Sequence, residues 1–176
     1  MAEEKKEPWL SYLALTTVIF AVCATLSTLK GGGFSTRAVM SQSQASDQWS
    51  YFQSKSIKGY LYELQKEMLE LDSKTLKGGA LRSDYEKRIA AYREKIARYD
   101  EEKKEIKARA EELEKTRDLS QQHSGAFGMA AMFLQIAILL SSIAALMKQK
   151  YFWFIGMGAG CFGLFYFFNG FFLFMK

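Results

Sequence analysis

Apolar residues along this chain fall into three long blocks, set apart by one extended charged stretch and one very short one. From Trp9 to Leu29, from Ala126 to Met147 and from Tyr151 to Met175 there is no Asp, Glu, Lys or Arg. About twenty helical residues cross a hydrocarbon core of ~30 Å, so each block is long enough to span a bilayer. The first block exceeds the apolar region of a cleavable signal, roughly 7 to 15 residues, and no small-x-small cleavage site is persuasive, so it reads as a retained anchor. The predicted organisation is an all-α membrane protein: a tail over 1–8, a first span over 9–29, an extramembrane helical hairpin over 30–125, a second span over 126–147, a tight turn over 148–150 and a third span over 151–175.

Within the charged stretch the periodicity is helical. Ile57, Leu61, Leu64, Met68 and Leu71 follow one another at intervals of 4, 3, 4 and 3, with Tyr60 flanking, which is a single apolar seam on a long helix. Gly78 and Gly79 supply a turn, after which Ser83 and Glu86 have the spacing of a capping box. Tyr85, Ile89, Tyr92, Ile96 and Tyr99, then Ile106, Ala110 and Leu113, form a second seam. Two partial seams predict an antiparallel coiled-coil hairpin in which each arm covers the other's stripe. Upstream, Lys30-Gly31-Gly32-Gly33 predicts a hinge at the membrane surface, because glycine is costly inside a helix.

Charge changes the picture little. The net charge is +5, but basic and acidic residues interleave through the hairpin, as in Glu101-Glu102-Lys103-Lys104-Glu105, which is the pattern of a solvated helix face and not of a nucleic-acid interface. Lys148 and Lys150 in the short turn, with Lys5 and Lys6 in the tail, place tail and turn in the cytoplasm and the hairpin on the periplasmic side. Lys30, Arg37, Lys115 and Arg117 pull the other way, but they flank a loop longer than about 60 residues, where the rule loses force.

Candidate chemistry is sparse. Gly156-Met157-Gly158-Ala159-Gly160-Cys161-Phe162-Gly163 has the glycines of a phosphate loop, but it lies inside an apolar block with no strand before it. Gly156 with Gly160, and Ala159 with Gly163, read better as small-x-x-x-small pairs for helix packing in lipid, facing either the second span or another subunit. Gln135 and Asn169 stand out as polar groups at membrane depth, suited to bonds between helices or to lining a pore; no ionisable group accompanies them, which argues against an ion or proton carrier. Cys23 and Cys161 read as small packing residues, and His123, the single histidine, as an interfacial polar residue. No metal, cofactor or catalytic constellation emerges, and an enzyme is not expected. One segment departs from the heptad pattern: Asp47, Tyr51 and Lys55 recur every four residues, beside Gln44, Gln48 and Trp49, which suggests a recognition face.

The same segment, Ser46-Asp47-Gln48-Trp49, Tyr51-Phe52 and Ser54-Lys55-Ser56-Ile57-Lys58, resembles the signature of a widespread bacterial membrane family known as a domain of unknown function. The resemblance runs over essentially the whole chain; it implies a bacterial inner-membrane location and brings no activity and no functional residues with it. The expected function is structural: a membrane-anchored scaffold that self-associates through its hairpin and its Gly-rich third span. The alternatives are an accessory subunit of a transport or respiratory complex, with another membrane protein as partner, and a homo-oligomeric channel.

Overall fold

The computed structural model describes residues 8–75 and 78–175; residues 1–7 of the expected tail lie outside them. Three helices account for nearly all of the described chain: α1 (Pro8–Thr75), α2 (Ala80–Met147) and α3 (Lys150–Phe172). Pro8 opens α1, at a position where a missing N–H breaks no helical bond. Packing divides the chain into an apolar unit, made of the described residues up to Val39 and from Arg117 onward, and a charged unit over Met40–Thr116.

The expected hinge at Lys30–Gly33 is absent, and α1 runs straight through it as helix. A glycine weakens a helix by about 1 kcal/mol relative to alanine, which long helical flanks on both sides can absorb. Gly31 is moreover a contact point: a methyl group there would stand 3.1 Å from Cβ of Phe127 on α2. The Ser124 hydroxyl donates to the Gly31 carbonyl at 3.1 Å. The expected cap at Ser83 is also displaced, since α2 begins at Ala80 directly after Gly78 and Gly79, whose φ values of +97° and +109° complete the reversal. Ser83 donates its N–H to the Gly79 carbonyl at 3.4 Å, and Glu86 pairs with Arg82 instead of reaching back to a cap.

In the apolar unit α3 packs on α1 and α2 through its glycines. Gly156, Gly163 and Gly170, seven residues apart, meet α2 at Ala137 and Leu140, at Leu134 and at Phe127 respectively, while Gly160 meets the Phe20 ring of α1. A Cβ at Gly163 would lie 2.7 Å from Cγ of Leu134, and one at Gly170 would lie 2.8 Å from the Phe127 ring. Phe20, Ala24, Leu134 and Ala137 form the central core, and Trp9, Leu13 and Ala144 a second cluster backed by Phe152 and Trp153. Among the described residues of this unit, side-chain hydrogen bonds link every pair of helices: Ser124 to Gly31 across α1 and α2, the Trp153 indole to the Thr16 hydroxyl at 3.2 Å across α3 and α1, and the His123 ring to the Gly170 carbonyl at 2.8 Å across α2 and α3. Because a carbonyl can only accept, Nδ1 of His123 carries the proton in that bond. Its ring also stacks on Phe34 of α1, with centroids 4.5 Å apart, so one side chain touches all three helices.

The charged unit is a pair of helices running in opposite directions, as Trp49 with Glu114, Lys55 with Glu102 and Glu70 with Arg93 show. The seam expected on α1 does not face α2: Ile57, Leu61, Leu64, Met68 and Leu71 are each 55 to 62% exposed. The contact face is offset from it and carries Lys55, Gly59 and Tyr62. Tyr62 stacks on Tyr99 at 5.8 Å and tilts against Tyr92 at 5.5 Å, with the Lys95 ammonium 4.8 Å from its ring. Large rings bury more surface per residue than aliphatic side chains and add ring and cation contacts, so the tyrosine face wins α2. On α2 the expected residues do turn inward, with Ile89, Ile106 and Ala110 buried.

Gly163→Leu is expected to destabilise the apolar unit by about 3 kcal/mol or more through overpacking against Leu134. Gly158→Leu, where no atom lies within 4 Å of the added carbon, serves as the control. Thermal midpoints in detergent should fall for the first and hold for the second.

Candidate functional site

The residues expected to form one recognition face are divided by the fold. Trp49 donates its indole N–H to a Glu114 carboxylate oxygen at 2.9 Å, and Lys55 reaches Glu102 at 2.6 Å while lying 5.2 Å from the Tyr51 ring and 5.3 Å from that of Tyr99. Both therefore bind the two helices of the charged unit together. Gln44, Asp47 and Tyr51 remain exposed, and Gln48 is half-buried. What survives of the face is a small strip of Gln44, Asp47 and Tyr51, with Trp49 and Lys55 turned inward.

The glycine-rich segment packs against other helices of the same chain. Gly156, Gly160 and Gly163 are buried, Ala159 is half-buried against the central core, and Gly160 faces Phe20 of the first apolar block. Gly170 completes the set and is recoverable from its interval of seven to Gly163 and Gly156. The two polar candidates separate. Asn169 is buried, and its side-chain oxygen accepts the Met175 N–H at 2.8 Å while its carbonyl accepts that of Leu173, so it ends its own helix. Gln135 is exposed on the outer side of α2.

The surface that periodicity alone assigns to the inside is the aliphatic stripe of α1. Ile57, Leu61, Leu64, Met68 and Leu71, with Tyr60 at 63% exposure beside them, make a continuous apolar face on a unit otherwise covered by charge. A heptad interval is the repeat of a helix that faces another helix along its length. Here α2 covers the adjacent face, so this repeat has no counterpart among the described residues. The signal that could have assigned it correctly is the cluster Gly59, Tyr62, Tyr92 and Tyr99, whose rings compete for the same neighbour.

Within the apolar unit, Pro8, Trp9, Lys148, Gln149, Lys150, Tyr151 and Phe154 surround an open cleft of about 810 Å³. The Lys150 ammonium stands 5.8 Å from the Trp9 ring, and Trp9 and Trp153 lie 6.4 Å apart. Aromatic rings mixed with lysines at the end of an apolar bundle have the composition of a membrane–water boundary.

Charge within the charged unit is arranged around Glu102, which accepts from Lys55 and, at 2.8 Å, from Arg98. These two bonds, Lys55 first, hold its carboxyl below the ordinary 4.5, and the Arg93 bond does the same for Glu70. The Glu102 hydrogen bond, followed by that of Tyr51, raises Lys55 in turn. A carboxylate with a depressed folded pKa stabilises the fold at pH above its unfolded value, and that contribution is lost as pH falls through the folded one. The heat-unfolding midpoint of the charged unit, followed by circular dichroism of the whole chain, should drop as the pH is lowered past about 4.5. Glu102→Gln should lower the midpoint at neutral pH and flatten this acid dependence.

No curated protein and no solved structure matches the chain. A family model matches residues 9–173, covering both ends of the apolar unit and all of the charged one. With nearly its whole length matched, the chain belongs to the family described as a domain of unknown function, DUF4337.

Proposed function

We propose that this protein is a multi-pass scaffold of the bacterial inner membrane that associates with copies of itself through the aliphatic stripe of α1. Three helices long and apolar enough to cross a bilayer support the membrane reading, as does the lysine and aromatic cluster around Trp9 and Lys150. The short turn with Lys148 and Lys150 is assigned to the cytoplasm, and the charged hairpin to the periplasm.

The observation that carries the function is the exposure of five heptad-spaced aliphatic residues that α2 leaves uncovered. In water such a stripe is a docking face, and a second copy offers the same repeat at the same pitch. Assembly by this route makes the coiled coil intermolecular, beside the tyrosine-filled contact within each hairpin. The glycines of the third span already hold α1 and α2, so the association is carried by the stripe and not by α3. The burial of Asn169 and its bond at its own helix end favour the scaffold reading over the channel alternative.

The test is the mass of the assembly released gently from its own membrane, read by native mass spectrometry. Leu61→Glu with Leu64→Glu should abolish the homo-oligomer while leaving the thermal midpoint of the chain within about 0.5 kcal/mol equivalent, because both side chains are already exposed. A homo-oligomer of unaltered mass would remove the stripe as the seam, and a stoichiometric second protein would make the chain an accessory subunit.

A further inference from the structure

Gln135 sits 13 residues from Lys148 and 12 from His123, the nearest strongly polar positions that bound its block on either side. At 1.5 Å per residue it is about 20 Å of helix from each, which is the middle of a bilayer if α2 crosses one. Its side chain is exposed on the outside of the bundle, and no hydrogen bond joins its amide to any described residue. The other polar groups of the apolar unit differ in this respect. Thr16, Thr17, Thr25, Ser27, Thr28, Ser141 and Ser142 each donate a hydroxyl to a carbonyl of their own helix at 2.8 to 3.0 Å.

A primary amide has two donors and a carbonyl acceptor, and hydrocarbon offers nothing to any of them. Leaving them unmet costs several kcal/mol, so a membrane-spanning α2 would require a partner at this depth. The surroundings suit close approach by another helix. Gln135 borders a groove of about 520 Å³ between α1 and α2, walled by Ala21, Ala24, Thr25 and Thr28 on one side and Ile138 on the other. Small residues of this kind let helix backbones come near one another in lipid.

We infer that Gln135 of one copy and Gln135 of a second copy hydrogen-bond reciprocally at the bilayer midplane, with this groove as the seam between them. A second copy is the partner that the geometry favours. Inserted in the same sense, it carries an identical amide at an identical depth. A carboxamide also satisfies another carboxamide in both directions at once, N–H to carbonyl and carbonyl to N–H, across a two-fold axis normal to the membrane. The Thr25 and Thr28 oxygens, whose protons are used within α1, can accept the remaining amide proton. The glycine face of α3 does not compete for this role, because α1 and α2 already cover it. This inference rests on the proposed membrane insertion and self-association, and supplies their contact within the lipid.

The experiment uses the full chain in its native membrane, with Cys23 and Cys161 replaced by alanine so that introduced cysteines are the only ones. Gln135→Cys should form a disulfide-linked homodimer on mild oxidation. Phe162→Cys, an exposed position near the middle of α3, should form much less. In a cysteine-free chain, Gln135→Leu should weaken homo-association on the order of tenfold, and Gln135→Asn should retain most of it. Equal crosslinking at both positions, or association unchanged by Gln135→Leu, overturns the inference while an oligomer that still depends on Leu61 and Leu64 leaves the scaffold reading standing. A chain that is monomeric before any substitution overturns both. A crosslink from the Gln135→Cys variant to a different protein overturns the homotypic contact and assigns the amide to that partner.

Discussion

The absence of a Cβ at four positions of α3 is the constraint on which the apolar unit depends. Lipid tails are as apolar as leucine, so helices in a bilayer gain nothing merely by hiding hydrophobic surface from one another; they hold through close packing and hydrogen bonds. Gly156, Gly163 and Gly170 let Ala137, Leu134 and Phe127 of α2 come against the α3 backbone, and Gly160 admits the ring of Phe20. Only at that separation can His123 reach the Gly170 carbonyl and Trp153 reach Thr16. The same logic explains Gly31, where the first and second helices come together beside Phe127. Phe127 is thus seated between glycines of two different helices and contacts the rings of Phe34, Phe167 and Phe171.

How much of this is legible in the sequence depends on which physical signal each element rests on. The three apolar blocks are read directly, because length and lack of charge are local properties. That α3 packs through glycine is also local, but the direction of each glycine is not. Pairing Gly156 with Gly160 assumes one face, whereas an interval of seven to Gly163 and Gly170 points to α2 and leaves Gly160 for α1. The glycines at 31–33 read falsely as a hinge for a related reason. Helix propensity is measured on isolated helices in water, and it says nothing of a second helix that uses the bare backbone as a contact. Periodicity likewise shows that α1 has an aliphatic face but not which partner faces it. Tyr62, Tyr92 and Tyr99 decide that question through contacts between residues far apart in sequence, which no single-helix pattern encodes.

The charged hairpin therefore has two chemically distinct sides. Its inner side combines stacked tyrosines, lysines over their faces and a carboxylate shared by two cations, a set of directional contacts that fixes the register of α1 against α2. Its outer side on α1 is aliphatic, with no directional group among its five heptad positions. A contact built from directional bonds tolerates little sliding, while an aliphatic heptad seam accepts any helix with the same repeat. This division would suit the proposed assembly, with internal geometry fixed by the directional contacts and the aliphatic side left adjustable.

The proposed association can be examined by magnitude. Covering the exposed half or so of five aliphatic side chains on each of two copies would release about 1 kcal/mol apiece, roughly 10 kcal/mol in all. Two freely diffusing proteins lose an estimated 4 to 15 kcal/mol on association, so the stripe alone would leave them near balance. Anchoring alters that comparison, because copies held in one membrane with a common orientation have already given up much of the freedom that association removes. The Gln135 pair would then add an estimated 1 to 2 kcal/mol, small beside the stripe but placed at a depth where lipid offers no hydrogen bond. On these magnitudes neither contact would suffice on its own away from a membrane, and under the proposed insertion the spans would act as part of the assembly interface as well as anchors.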